Sequence, residues 1–405
     1  MTPSQQSAAV TGSEGGGPGG GAIGGSPRIP PGLSFVTRSD IAMTSAAVLF
    51  TVAAALLKGH GPVVPFVVSG VAVVLLAAMV GRAVDHLSDR LGAGAVGVLQ
   101  GALGNLPELF ICVFALRSGL DGVVTSALIG SILGNLLLVL GLSFFVGGRR
   151  NGVLRYSQVR ARMIMALMIL SVAAMLVPSL ASYIHSPAAG HEAALSRITA
   201  VVLLIVFAMS VPASLRREDP NRAGGAEPTA AEEAAEAKAQ EHTAEEAEHG
   251  HPGWPVPFAI TMLAITGALA AFVSDLFVDA LQPAMNAMHV SQAFAGLVIV
   301  AIAGNAVENA VGVKLAWDNQ ADHALSVILN SPLQIALVLA PVLVLISPLI
   351  GGPAFTLVFS PMLVSTVGVS TLAVAFLVSD GESDWLEGAT MVGLYVLIAA
   401  AFWWG

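Results

Sequence analysis

Long apolar runs alternate along the chain with short polar breaks, and a helix needs about 20 residues to cross a bilayer. Eleven stretches are expected as spans: roughly 39–58, 62–84, 93–116, 121–147, 162–184, 196–215, 255–281, 292–316, 323–350, 353–378 and 384–404. Runs such as Val201-Val202-Leu203-Leu204-Ile205-Val206 lack the two-residue alternation of a transmembrane barrel strand. The expected fold class is an all-α polytopic membrane protein with about 11 transmembrane helices.

Two segments depart from this pattern. Residues 1–38 are rich in Gly, Pro and Ser and read as a disordered tail, because they cannot bury enough surface to offset ordering. They also lack the basic start and apolar middle of a cleaved signal peptide, so the first span is expected to be retained. Between 216 and 254 the chain turns polar, with Glu227, Glu232, Glu233, Glu236, Glu241, Glu245, Glu246 and Glu248 set among alanines. Like charges in such a run repel, and it reads as a cytoplasmic linker.

Basic residues collect on the cytoplasmic side of membrane proteins. With the amino terminus inside, 14 Lys and Arg fall on inside loops and 3 (Lys58, Arg117 and Arg197) outside. The carboxyl terminus is then outside. Composition agrees with a membrane protein: 55% of residues are hydrophobic, 11% are charged, and the mean hydropathy is +0.81. The net charge of −9 offers no footprint for nucleic acid, and one cysteine excludes a thiolate metal cluster or an intrachain disulfide framework. The composition suits a prokaryotic cytoplasmic membrane.

The two sides of the linker repeat one another. Gly104-Asn105-Leu106-Pro107-Glu108 returns as Gly304-Asn305-Ala306-Val307-Glu308, an offset of 200 that also pairs Ser131 with Ser331 and Leu133 with Leu333. With the first span set apart, five expected spans remain on each side of the linker, an odd number that would set the copies upside down to each other. Inverted repeats mark secondary transporters, whose ion sites lie where the repeats meet. The expected organisation is an extra helix at 39–61, a first repeat at 62–215, the linker at 216–254 and a second repeat at 255–405.

Glu108 and Glu308 fall well inside spans three and eight, and a carboxylate at that depth is costly enough to imply function. Gly104 and Asn105 share a helix face with Glu108, as Gly304 and Asn305 do with Glu308. The next spans add Ser131 and Asn135 in one half, Ser331 and Gln334 in the other. Pro107 and Pro332 would interrupt the backbone ladder beside these groups and free carbonyls to line a cavity. A set of carboxylates, amides and hydroxyls without imidazole or thiolate suits a hard cation such as Ca²⁺, with Na⁺ also admitted. Protons and a cation would compete for the same oxygens, which is a mechanism for exchange.

Lesser candidates have simpler readings. Asp85, His86, Asp89 and Arg90 read as an interfacial charge cluster, and Asp275 and Asp279 as the lining of an outer access path. Cys112 reads as a packing residue. An enzyme is not expected: His191-Glu192 lacks the second histidine of a His-Glu-x-x-His site. A cation channel or ion sensor built on the same polar ring is the alternative to a transporter.

The residues from Gly104 to Leu109 and Gly130 to Leu137, with Gly304 to Glu308 and Ser331 to Ala336, resemble the calcium/cation antiporter superfamily and its cation/proton exchanger branch. Asp384-Trp385-Leu386-Glu387-Gly388 and the acidic linker look like the same branch. The resemblance implies ten core helices in two inverted halves plus one amino-terminal helix, and exchange of Ca²⁺ for H⁺. It makes Glu108 and Glu308 the exchanging acids, with Gly104, Gly304, Asn105, Asn305, Ser131, Asn135, Ser331 and Gln334 in the metal site. The expected partners are inorganic cations and membrane lipid, and no cofactor is expected. The chain departs from the branch at Leu106-Pro107 (usually Ala-Thr), at Asn330-Ser331-Pro332 (usually Gly-Ser-Ser) and at Asn309, where a histidine is usual. An amide does not titrate near neutral pH, so a Na⁺/H⁺ or K⁺/H⁺ antiporter of the same fold stays open beside the Ca²⁺/H⁺ reading.

Overall fold

The computed structural model describes residues 36–88, 103–217, 254–350 and 354–404. The tail to residue 35, positions 93–102 of the third expected span, Asp89, Arg90 and linker positions 218–253 lie outside the described residues.

The described residues are mostly helical. Their helices are α1 (Arg38–Leu56), α2 (Val64–Ser88), α3 (Leu106–Arg117), α4 (Asp121–Asn151), α5 (Gln158–Tyr183), α6 (Glu192–Arg217) and α7 (Val256–Met288). They continue with α8 (Gln292–Gly304), α9 (Ala306–Trp317), α10 (Ala321–Ile350), α11 (Pro361–Leu377) and α12 (Trp385–Trp403). Among the described residues nine are long and apolar enough to cross a membrane, and the bent pair α8–α9 makes a tenth. Of the expected span 93–116 the described part is α3, with 12 residues too short to cross alone.

Helix α1 starts where its sequence caps it. Thr37 accepts from the Asp40 amide and Asp40 from the Thr37 amide, a reciprocal box that satisfies two N-terminal donors. The buried Asp40 carboxylate also receives the Arg82 guanidinium of α2, which fastens the extra helix to the bundle.

Helix α4 runs through the middle and is buried along most of its length. Two glycines allow it to cross α8 backbone to backbone. A Cβ on Gly130 would fall on the Leu297 backbone, and one on Gly296 on the backbone of Val123 and Ala127. That approach brings Ser131, the next residue on α4, against the last turn of α8. Both α4 and α10 carry a π-helical turn, at Gly134–Val139 and Ile335–Leu339. Only the second follows a proline, so proline is not what widens them.

Two expected spans are not continuous helices. The stretch 292–316 bends by 66° between α8 and α9. The expected span 353–378 becomes helical only at Pro361, and 354–360 is extended. Phe355, Leu357 and Phe359 alternate inward in that segment, a strand periodicity inside an otherwise helical apolar run. Among the described residues no strand pairs with it, and helix side chains take its backbone groups. The Phe355 amide donates to Ser347 Oγ (2.9 Å) and the Leu357 amide to Ser196 Oγ (3.0 Å). Ser179 Oγ donates to the Leu357 carbonyl (2.8 Å) and accepts from the Phe359 amide (2.9 Å), while the Tyr183 hydroxyl donates to the Phe359 carbonyl.

At the opposite end of α4, β1 (Leu154–Arg155) pairs antiparallel with β2 (Glu382–Ser383), Leu154 facing Ser383. The Tyr156 amide donates to Gly381 O (2.9 Å) and the Ser157 amide to the Asp322 carboxylate (2.7 Å). Burial, with Asp380, Glu387 and Glu382 nearby, pushes the Tyr156 hydroxyl well above the usual tyrosine range, so it remains a donor to the Glu382 carbonyl. Loops from before and after the linker are thus tied together at this end.

Replacing Ser179 by Ala strands a buried carbonyl and a buried amide at once, at a cost of roughly 1–3 kcal/mol for each. Thermal unfolding of the purified protein is expected to show Ser179→Ala melting several degrees below the parent. Ser365→Ala, which removes an exposed hydroxyl bonded only to its own helix, is expected to melt with the parent. Equal melting of Ser179→Ala and the parent would remove the role assigned to the serine.

Candidate functional site

The two Gly-Asn-x-x-Glu segments adopt one local geometry. Asn105 (φ −98°, ψ 20°) and Asn305 (φ −108°, ψ 17°) leave the helical region at matching positions, and a new helix starts on the following residue. The first helical amides of α3 and α9 reach back to the two asparagine carbonyls, Leu109 to Asn105 (2.9 Å) and Asn309 to Asn305 (3.0 Å). The correspondence extends to the next turn, where Gly119 (φ 70°) and Asn319 (φ 61°) are both left-handed. The second half breaks without a proline, so Pro107 is not the cause of the first break. It occupies the second position of α3, where a missing amide is harmless. Glycine and asparagine, both poor helix formers, mark the break in each half.

Each glutamate is the third residue of its restarted helix, close to the positive end of the helix dipole, which favours a carboxylate. Their surroundings differ. Glu108 is buried, and its Oε1 accepts from the Ser131 hydroxyl of α4. Gly304 stands against it: a Cβ there would lie 3.4 Å from Glu108 Cγ and 3.5 Å from Cδ. Glu308 is half-buried, lies within electrostatic reach of Glu108, and has the Asp85 carboxylate of α2 within the same reach. The expected pair is therefore present, with one acid enclosed and the other partly open.

Amides and hydroxyls connect the halves. Asn305 Nδ2 donates to Ser131 Oγ (3.1 Å) and to the Ala301 carbonyl (3.0 Å), and Asn305 Oδ1 accepts from Ser331 Oγ (3.0 Å). A chain of contacts thus runs from Glu108 through Ser131 and Asn305 to Ser331. Asn105 Nδ2 donates to Gln334 Oε1 (3.2 Å), a second cross-half bond. Asn135 Nδ2 donates to the Ser131 carbonyl (2.9 Å). Of the ten residues expected at the site, Glu108, Ser131, Asn135, Asn305 and Ser331 are joined by hydrogen bonds, with Gly304 against Glu108. Asn105 and Gln334 form a separate pair, Glu308 lies within electrostatic reach of Glu108, and Gly104 stands at the first break.

The arrangement is rich in acceptors. Glu108 Oε2, Asn135 Oδ1 and Asn309 Oδ1 are buried and have no hydrogen-bond donor. Unpaired buried acceptors are costly, and a cation is the ligand that several of them satisfy together. Among the described residues no group of three or more His, Cys, Asp or Glu gathers to hold a metal. The oxygens on hand are carboxylate, amide and hydroxyl oxygens, the donor set of a hard cation.

Other candidates settle elsewhere. Asp279 pairs with Lys58 (2.8 Å) and both are exposed, with Asp275 beside them. His86 stacks on Trp254 (centroids 4.7 Å apart). Cys112 is buried in the apolar core. Trp317 carries the Arg150 guanidinium at 4.4 Å from its ring centroid.

Residues 61–215 and 258–404 match the family described as sodium/calcium exchanger protein. The chain is 34% identical over 352 residues to a Ca(2+)/H(+) antiporter of Synechocystis sp., covering 85% of this chain and 92% of that one. It is 34% identical over 348 residues to the Ca(2+)/H(+) antiporter ChaA of Bacillus subtilis, covering 85% and 93%. The solved structure of native YfkE is similar with a TM-score of 0.71 at 28% identity, over 90% of this chain and 98% of that one. The H+/Ca2+ exchanger CAX, at 14% identity, shares the fold with a TM-score of 0.66. The family match passes over 216–257, where the acidic linker lies, and takes in both Gly-Asn-x-x-Glu segments on either side. This chain belongs to the sodium/calcium exchanger protein family.

Proposed function

We propose that this protein exchanges Ca²⁺ for H⁺ across the membrane by alternating access, with Glu108 and Glu308 binding cation and protons in competition. The observation that carries the reading is the buried Glu108 carboxylate. One of its oxygens is held by Ser131 and the other has no donor, at the place where two repeated helix breaks meet. Relatives at 34% identity that are Ca(2+)/H(+) antiporters support the choice of ions.

The chemistry follows from charge and desolvation. Two bare carboxylates in a dry crossing are unstable without a positive partner. Two protons, or one Ca²⁺, neutralise them equally. The neutral forms can each be carried through a change of access, and the bare form cannot, which couples the two flows. Asn105, Asn305, Asn135, Ser131, Ser331 and Gln334 supply neutral oxygens around the acids, and Gly104 and Gly304 leave room beside them. If each acid gives up one proton per Ca²⁺, exchange moves no net charge.

The membrane arrangement goes with this reading. The chain forms eleven spans, one extra amino-terminal helix and two inverted five-helix halves at 62–215 and 255–405, in a prokaryotic cytoplasmic membrane. The amino terminus and the linker 216–254 are cytoplasmic and the carboxyl terminus is outside. The β1–β2 end of the bundle then faces the cytoplasm, and the extended segment 354–360 faces outward.

In everted vesicles holding an acid-inside pH gradient, added Ca²⁺ is expected to collapse the gradient. Glu108→Gln and Glu308→Gln are each expected to abolish the collapse. Collapse by Na⁺ or K⁺ alone would keep the fold and change the substrate, and no collapse by any ion would overturn proton-coupled exchange.

Direct binding gives a second prediction. A ligand at 100 times its dissociation constant stabilises its protein by about 2.7 kcal/mol, so saturating Ca²⁺ is expected to raise the melting temperature of the purified wild type by several degrees. Glu108→Gln, whose amide oxygen still accepts from Ser131, is expected to fold and to show no Ca²⁺-dependent rise. A rise equal to that of the wild type would take Glu108 out of the site.

A further inference from the structure

Helices α4 and α10 each carry an aspartate in their first two residues, and only one of the two is satisfied. Asp322 of α10 accepts from the Ser157 amide (2.7 Å), in the connection that follows α4. Asp121 of α4 holds the like place in the other half, beside the connection that follows α10. There it meets a cavity of about 330 Å³, lined by Asp121, Gly122 and Thr125 with Ala354, Phe355, Thr356 and Val358. Asp121 and Thr125, one turn apart, share the face of α4 that forms one wall. Among the described residues no donor or cation pairs with the Asp121 carboxylate.

The opposite wall is an unpaired strand edge. In an extended chain the amide and carbonyl of one residue point to one edge, and those of the next residue to the other. One edge of 354–360 is spent on Ser347, Ser196, Ser179 and Tyr183, which bond the backbone of Phe355, Leu357 and Phe359. The groups of Thr356 and Val358 belong to the other edge, and among the described residues nothing bonds to them. The Thr125 hydroxyl turns its hydrogen to the Asp121 and Gly122 carbonyls (3.1 Å each), which leaves its oxygen free to accept. No lysine, arginine or histidine is among the described lining residues. The full charge of Asp121 outweighs the half charge at the start of α4.

We propose that this cavity is a capture site on the outer face, where Asp121 and the oxygens of Thr125, Thr356 and Val358 hold a hydrated divalent cation. The site rests on the exchange reading above. At about 30 Å³ per water, the volume takes an ion together with its hydration shell. The roughly six to eight oxygens that Ca²⁺ needs are then shared between wall and water. Beyond the cavity α4 and α8 meet backbone to backbone at Gly296 and Gly130. Asp121 stands ten residues before Ser131, about 15 Å along α4, so a captured ion is separate from one bound at Glu108. Its effect is sided: the cavity raises the supply of ions on the 354–360 face alone.

The test measures half-saturating Ca²⁺ for exchange in right-side-out vesicles, which present the outer face, and in everted ones. Loss of a solvated carboxylate partner is worth about two- to five-fold in affinity. Asp121→Asn is expected to raise the half-saturating concentration by that factor from outside and to leave it unchanged from inside. Asp121→Glu keeps the charge and is expected to match the wild type from both faces. Glu192→Gln removes a charge at the same end but away from the cavity, and is expected to have no effect. A rise with Glu192→Gln equal to that with Asp121→Asn would make the effect one of overall surface charge and overturn the site. Equal changes from both faces with Asp121→Asn, or none, would overturn it as well. Absence of Ca²⁺-driven exchange in the wild type would instead overturn the exchange reading, and the capture site with it.

Discussion

A chain that crosses hydrocarbon must satisfy its backbone amides and carbonyls internally, and most of this protein does so by remaining helical. The positions where it stops being helical therefore need a local donor or acceptor, and they organise the molecule. At Asn305 the helix ends and restarts within one residue, and the asparagine carbonyl accepts from the Asn309 amide of α9. At 354–360 there is no helix at all, and the hydroxyls of Ser179, Ser196, Ser347 and Tyr183 take the place of a neighbouring strand. Both interruptions are internal to the bundle, one at its centre and one near its end.

The central interruption also explains why two identical motifs become unlike sites. Local sequence gives Glu108 and Glu308 the same place in a restarted helix. What differs is the neighbour each meets across the bundle. Gly304 and Ser131 enclose Glu108 on two sides, whereas Glu308 keeps partial exposure near Asp85. Two related halves packed in one conformation need not present their acids equally.

Much of this was legible from residue order. The helical class, most spans and the pairing of Gly104-Asn105-x-x-Glu108 with Gly304-Asn305-x-x-Glu308 follow from hydropathy and an offset of 200. The candidate ligands did as well, because amides, hydroxyls and carboxylates are conspicuous in apolar runs. Misreadings came where composition is silent about geometry. Residues 354–360 are apolar enough for a span, and their alternation of Phe355, Leu357 and Phe359 is short and bounded by Pro353 and Pro361. Pro107 drew attention as a helix breaker, although Asn305 breaks its helix with no proline near.

By itself the sequence determined which segments are apolar, which side chains carry oxygen ligands at depth, and that one half repeats the other. Those properties are local, set by residue type and spacing along one helix. Tertiary structure alone decided that Ser131 holds Glu108 and that Asn305 bridges Ser131 and Ser331. Each of those depends on which helix faces which at Gly130, Gly296 and Gly304, where missing side chains let backbones or a carboxylate approach. Such contacts join residues that can be more than 150 positions apart, and spacing within one helix carries no record of them.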